Sequence, residues 1–260
     1  MASWDQLQAE LDQWEADGKK ATFWWRDDDL NEPTPAFDRL IALRSHFDIP
    51  LTLAVIPDRV DPHIADDLDG CLLVQHGVTH QSEAKGGEKK SEFPESRGVE
   101  DALDHIGVGL SRMQTLFEDK FLPVFVPPWN RISDAVTERL GDIGVVGLSS
   151  YKARKTDKVS SNRVALINTH VDPIFWRGHR SALPEEEILD QVLSHLIAKR
   201  TGAADPFEPT GILSHHLVHD DAIWEILFKL FSFLNGHSSV RWMTYPGAMS
   251  LIDGLPDDIG

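Results

Sequence analysis

The sequence predicts an α/β fold, a distorted (β/α) barrel of about seven or eight mostly parallel strands. Three observations carry that expectation. Short apolar runs alternate with amphipathic stretches along the whole chain, a rhythm that implies parallel strands joined by right-handed crossovers. The length, 260 residues with 41% hydrophobic content, suits one barrel with a full core. Polar clusters also recur just after the apolar runs, where a parallel barrel gathers its active-site loops.

The elements follow in order. Trp4, Leu7, Leu11 and Trp14 recur at helical spacing. "ATFWW" is short, aromatic and β-prone, and it runs into Arg26-Asp27-Asp28-Asp29, which reads either as a solvated turn or as the seat of a positive charge. "TPAFDRLIALRSHF" is helical, and "PLTLAVIP" and "CLLVQ" are buried strands, with Cys71 packing in the second. The tract from Gln81 to Arg97 has charges, glycines and no periodicity, so it reads as a long loop and a possible lid. A helix from Val99 to Glu118, the strand "FLPVFV" and a helix "SDAVTERLG" capped by Ser133 come next. "GVVGL" and "RVALIN" are strands, and "PEEEILDQVLSHLIAKR" is a helix with Pro184 at its start and bases at its end. "GILSH", the helix "DAIWEILFKLFSFL" and the strand "VRWMT" close the pattern. No repeat or linker interrupts it, so residues 1–260 read as a single domain.

Charge narrows the function classes. With 42 acidic against 25 basic residues the net charge is −17, which disfavours nucleic acid and anionic membranes as partners. Cys71 stands alone, so no intrachain disulfide forms. The start "MASWDQLQAELDQW" carries charges throughout and no apolar signal region, and no run is long enough to span a bilayer. The expectation is a soluble, cytoplasmic protein.

Five strands end in chemistry-bearing residues: Arg26 to Asp29, His76 to His80, Pro127 to Arg131, Thr169 to Asp172, and Ser214 to His216. Asp28 or Asp29 with His76 and His80 makes a three-ligand metal set, the His-x-x-x-His spacing placing both rings on one side of a helical turn. Two imidazoles and a carboxylate suit one divalent ion, zinc foremost, with cobalt, nickel or iron as other occupants. Such an ion also explains why three carboxylates sit side by side. Alone, each feature has a plainer reading as a turn, a chance histidine pair or a core tryptophan, the last covering Trp176, Trp224 and Trp242. His63, His105, His179, His195 and His237 are read as surface or helix residues without function.

In this order the clusters resemble the polysaccharide deacetylase family, carbohydrate esterase family four. Its motifs run from a Thr-Phe-Asp-Asp-Gly strand end through His-Ser/Thr-x-x-His and Arg-Pro-Pro-Tyr to a late Leu-x-His, and the likeness spans about Thr22 to His215. The resemblance implies Asp28 as general base, Asp29 with His76 and His80 as metal ligands, and His215 as general acid; a register one residue earlier gives Asp27 and Asp28. It places Pro128 and Trp129 at the oxyanion and substrate side, where a backbone N–H near the aromatic residue helps hold the oxyanion. Arg131, Asp172 and Trp176 join that side. The family's third-motif arginine, which orients the base, is Val126 here; Arg26 or Arg131 is the replacement. Its glycine after the aspartates is Leu30, and the aspartate before its fourth-motif tryptophan is Phe175, leaving Asp172 to orient His215 or a metal-side histidine. His216 and His219 compete with His215 for the acid's place.

The implied activity is hydrolysis of a C–N amide bond, deacetylating a small N-acetylated sugar or oligosaccharide. The competing readings are a non-catalytic barrel that keeps metal and carbohydrate binding, motivated by Val126 and Phe175, and a non-haem iron oxygenase.

Overall fold

Ser3 opens the first helix, α1 (Trp4–Ala16), with a reciprocal cap: its hydroxyl accepts the Gln6 N–H while the Gln6 side chain accepts the Ser3 N–H. The architecture is seen in a computed structural model that describes residues 2–159, 163–178 and 180–253; His179 lies outside the described residues. The strands are β1 (Ala21–Leu30), β2 (Leu51–Val55), β3 (Cys71–His76), β4 (Phe121–Val126), β5 (Gly147–Leu148), β6 (Lys158–Val159), β7 (Val164–Leu166), β8 (Thr210–Ser214) and β9 (Val240–Trp242). They form one nine-stranded sheet in the order β6-β7-β5-β4-β3-β2-β1-β8, with β9 also beside β1. Every ladder is parallel except β6 with β7. This is the α/β, mostly parallel architecture the sequence predicts.

The ladder is open between β7 and β8, and an irregular seam joins them. The N–H groups of His170 and Val171 both donate to the Gly211 carbonyl, at 2.7 and 3.0 Å, and Leu213 N–H donates to the Val171 carbonyl at 2.8 Å. Helices α2 (Pro35–Phe47), α3 (Val99–Phe117), α5 (Glu185–Thr201) and α6 (Asp221–Asn235) cover the outside.

Strand alternation sorts the residues. Trp24, Ala54, Val74, Val124 and Val126 cluster on the inner face of the curled sheet with Ile167 and Tyr245. Phe23, Trp25, Leu53, Val55, Leu73 and Phe125 belong to the larger core under the helices. Since Trp24 faces inward, Arg26 and Asp28 do too, and Asp27 faces the other way. The final helix α7 (Tyr245–Asp253) plugs the inner face: the Tyr245 hydroxyl donates to the Leu148 carbonyl at 3.2 Å, and its ring meets Trp24 edge-on at 5.4 Å.

Three local expectations change. The aspartates are not a turn: β1 continues through them, with Asp27 and Asp28 fully buried. The helix expected after Ser133 is only α4 (Asp134–Thr137); Ser133 caps it, but Arg139 leaves helical geometry and a short 3-10 turn, Leu140–Ile143, follows. His195 lies on a helix, α5, as one of the two expected settings, and is buried there. Neither β6 nor α7 was visible in the periodicity. Among the described residues, no helix is long and apolar enough to cross a membrane.

Candidate metal and catalytic centre

Asp29 ends the polar run of β1 in left-handed backbone, φ 74°, which turns its carboxylate toward the end of β3. Its Oδ1 lies 3.2 Å from Nε2 of His76 and 3.2 Å from Nε2 of His80. The His76 tautomer is fixed from behind: Nδ1 is 3.0 Å from the Val126 carbonyl, an oxygen that only accepts, so Nδ1 carries the proton. A neutral His76 therefore presents a bare lone pair toward Asp29. Asp29 Oδ1 is buried without a hydrogen-bond donor among the described residues. Acceptors facing one another at that distance call for a cation between them, and one carboxylate with two imidazoles is a donor set that divalent zinc, cobalt, nickel or iron takes. The three residues fit such an ion, and all three ligand atoms lie within 4.8 Å of one another.

The field has the sign a cation needs. Burial pushes the Asp29 carboxyl up, but the adjoining His76, then His215 and His80, outweigh it and hold the group below the carboxylate range. Burial works against a charged His76, yet the neighbouring Asp28 and Asp29 carboxylates raise it above its ordinary value.

The pairing of His76 with His80 differs from the expected helical turn. His76 closes β3, then Gly77 (φ 57°) and His80 (φ 55°) both adopt left-handed backbone, so a tight loop brings the rings within 5.0 Å. Glu92 shapes this loop. Fully buried, its carboxylate accepts the N–H groups of Val78, Thr79 and His80 and the Thr79 hydroxyl, at 2.8–3.2 Å. A side chain on Gly77 would meet Glu92 Oε2 at 2.2 Å and Pro128 Cγ at 2.5 Å. The tract from Gln81 to Arg97 is thus anchored at Ser91–Pro94, all buried, and forms a wall of the site. Sequence reasoning missed Glu92 because nothing in a polar, aperiodic tract marks one acid as buried.

Asp28 faces inward beside this trio. Arg26, two residues earlier on the same face of β1, grips it with Nε–Oδ1 at 2.8 Å and Nη2–Oδ2 at 3.0 Å. Arg26 is itself fully buried and donates to Ser149 Oγ at 2.6 Å and Asn130 Oδ1 at 3.0 Å. Of the two arginines considered in place of the third-motif arginine, Arg26 is the one in contact with Asp28. Arg131 donates to the Lys90 carbonyl at 2.9 Å instead. Asn130 and Ser149 are further site residues the sequence did not single out.

Asp27, on the opposite face, organises the exit of β8. Its carboxylate accepts the Ser214 hydroxyl at 2.6 Å and the His216 N–H at 3.0 Å, and it pairs with the His216 ring. Burial opposes its charge, but His216 outweighs the burial and keeps the carboxyl low. With His216 tied outward, His215 turns inward, its Nε2 3.9 Å from Asp28 Oδ2. His219 Nε2 accepts the backbone N–H of His215 at 3.1 Å. Asp28 and Asp29, rather than Asp27, thus lie beside His76, His80 and His215, while Asp27 and His216 pair on the opposite face.

Two tryptophans flank it. The Trp129 ring lies 4.7 Å from His80, with Trp129 itself in left-handed backbone, φ 56°. Trp176 meets His215 edge-on at 4.7 Å and donates from its ring N–H to Asp172 Oδ2 at 2.7 Å. Trp176 is 41% exposed, so it is not the core residue that ring burial suggests, whereas Trp224 is buried. Burial raises the Asp172 carboxyl, with the nearby His215 charge opposing.

His170 does not join this centre. It stacks on His195 at 3.5 Å, both near Glu208. This trio has metal-ligand residue types, but His170 Nδ1 accepts the Gly211 N–H at 2.9 Å. The neutral ring then carries its proton on Nε2 and offers an ion no lone pair there.

No protein-family profile and no curated protein matches the sequence. Solved structures do match. Puue allantoinase aligns over 93% of each chain with a TM-score of 0.62 at 11% identity. The peptidoglycan deacetylase PdaC from Bacillus subtilis aligns over 91% of this chain and 93% of its own, with a TM-score of 0.51 at 17% identity. A family 4 carbohydrate esterase from Streptomyces lividans, in complex with acetate, aligns over 86% and 92%, with a TM-score of 0.53 at 13% identity. The chain shares the fold of these three structures. At these identities the likeness is one of architecture, and the chemistry has to come from the site.

Proposed function

We propose that the protein is a metal-dependent amide hydrolase that deacetylates an N-acetylated sugar. The observation that carries this reading is the placement of Asp28. A carboxylate gripped by Arg26 stands beside the Asp29–His76–His80 trio, with His215 across from it at 3.9 Å. A simple metal binder needs neither an aligned second carboxylate nor a facing histidine.

A divalent ion held by Asp29, His76 and His80 would polarise the acetyl carbonyl and acidify a water at the centre. Asp28 takes a proton from the attacking water as its oxygen bonds to the acetyl carbon. Arg26 keeps the carboxylate aligned for that transfer, and the backbone N–H of Trp129 donates to the oxyanion. His215 then gives a proton to the amide nitrogen as the C–N bond breaks, because an amide anion leaves poorly. Acetate and a free amine are the products. Trp176, held by Asp172, forms the wall behind His215. The presence of Arg26 on Asp28 removes one motive for the non-catalytic reading, since the base keeps a guanidinium despite Val126. The parallel α/β sheet is also unlike the double-sheet scaffold expected of the oxygenase.

The test is elemental mass spectrometry combined with acetate release. The native chain should hold about one divalent ion, Asp29→Ala and His76→Ala should lose it, and Asp28→Asn should retain it while turnover disappears. A native chain that takes up no ion after supplementation would sink the mechanism.

A further inference from the structure

The protein is strongly acidic, and several of its cations pair with acids at the surface. Arg39 pairs with Asp221, Arg139 with Glu100 and Asp142, Arg163 with Asp142, and Lys229 with Glu185. At the mouth of the candidate centre this pattern breaks. Lys90 sits over the Trp129 ring at 6.0 Å, and Arg180 over the Trp176 ring at 6.0 Å. Those rings in turn abut His80 and His215. Each cation has an exposed neighbour of the same sign, Lys89 and Arg177. None of the four makes a salt bridge among the described residues.

Nearby acids are otherwise engaged. Glu88 accepts the Lys85 N–H and both donors of Ser96, Glu95 accepts the Asp134 N–H, and Asp220 accepts from Ser181 and Ile223.

From this placement we infer that the substrate carries a negative charge: the N-acetylated sugar bears an anionic group, a carboxylate or a phosphate ester, that Lys90 and Arg180 meet at the rim. The inference rests on the deacetylase reading of the same site. In a chain of net charge −17, an anionic substrate is repelled at long range, so unpaired cations at the entrance are what lets it approach. Both are surface groups, so their effect is modest and salt-screened: together roughly a five- to thirtyfold preference over a neutral analogue at low ionic strength.

The experiment compares kcat/KM of the metal-loaded protein on N-acetylglucosamine, N-acetylglucosamine 6-phosphate and N-acetylneuraminic acid, at low and at high salt. Calorimetric binding of the same three compounds to metal-loaded Asp28→Asn runs in parallel. A preference for one or both anionic compounds that shrinks with salt, and collapses toward unity in K90E/R180E, supports the inference; which compound is preferred separates phosphate from carboxylate. Equal kcat/KM and equal binding across the three overturn it and leave the deacetylase reading standing. No acetate from any compound, with no binding to Asp28→Asn, overturns both.

Discussion

Removing Arg26 tests the base and the fold together. Replacing it with methionine keeps most of the volume and leaves Asp28 buried without its guanidinium, as well as leaving Ser149 and Asn130 short of a donor. Breaking a buried pair from one side costs about 3–5 kcal/mol. For a chain of this length each kcal/mol lowers the melting temperature by roughly 2 °C, so Arg26→Met should melt about 6–10 °C lower. Arg26→Met/Asp28→Asn should regain a good part of that loss, because the double variant no longer buries an unpaired charge. Turnover should separate from stability. A misaligned base costs on the order of 100-fold in kcat with KM little changed, and the double variant, though more stable, should remain inactive. Arg26→Lys should fall between, since an ammonium cannot make the two parallel bonds. Thermal unfolding by circular dichroism and acetate release provide the two readouts. If Arg26→Met melted within 1–2 °C of the native chain and kept its kcat, the assignment of Arg26 as the residue that aligns the base would be wrong.

Glu92→Gln should weaken metal affinity by about 10–100-fold, the usual effect of loosening a ligand's support, measured by competition with a chelator; unchanged affinity would mean that the Val78–His80 loop holds without the carboxylate. Gly77→Ala should fail to fold stably, because its methyl would meet Glu92 and Pro128 in left-handed backbone; a native melting temperature would refute the fit. The third expectation concerns acid. Burial lowers His219 from its ordinary 6.5 to about 4, so the folded state resists its protonation and the unfolded state does not. Its contribution is constant above pH 6.5 and is lost as pH falls toward about 4, by up to about 3 kcal/mol. His219→Gln should flatten urea midpoints across that window, and an unchanged slope would exclude His219 as a source of acid sensitivity.

Much of this site was legible because strand ends announce themselves: an apolar run that stops at Asp-Asp-Asp, at His-Gly-Val-Thr-His or at Ser-His-His is visible without coordinates. Orientation was not. Whether Asp27 or Asp28 faces the centre depends on which side of β1 meets the inner cluster, and only the contacts of Trp24 decide that. The same parity puts Arg26 on Asp28, a contact between residues two apart in sequence that the string of letters leaves ambiguous. His76 and His80 were paired by a helical turn that does not exist; Gly77 was the available sign of a different bend. His170 looked like part of the cluster until the seam at Gly211 took its Nδ1. Glu92 gave no signal, since its burial arises from a loop folding back across β3 and β4.

The arginine's position on β1 has a consequence for how the site tolerates motion and change. When the group that aligns a base is borrowed from another strand, every slip between the two strands misaligns the pair. Here Asp28 and Arg26 are separated by a single residue, Asp27, so their spacing is set by the covalent geometry of one extended segment. The end of β4 is released from that duty and can hold Val126, whose carbonyl serves His76. The Arg26–Asp28 pair is thereby contained in β1 while β4 supports His76, and substitutions near Pro127 and Pro128 can alter the loop around Trp129 without separating the pair.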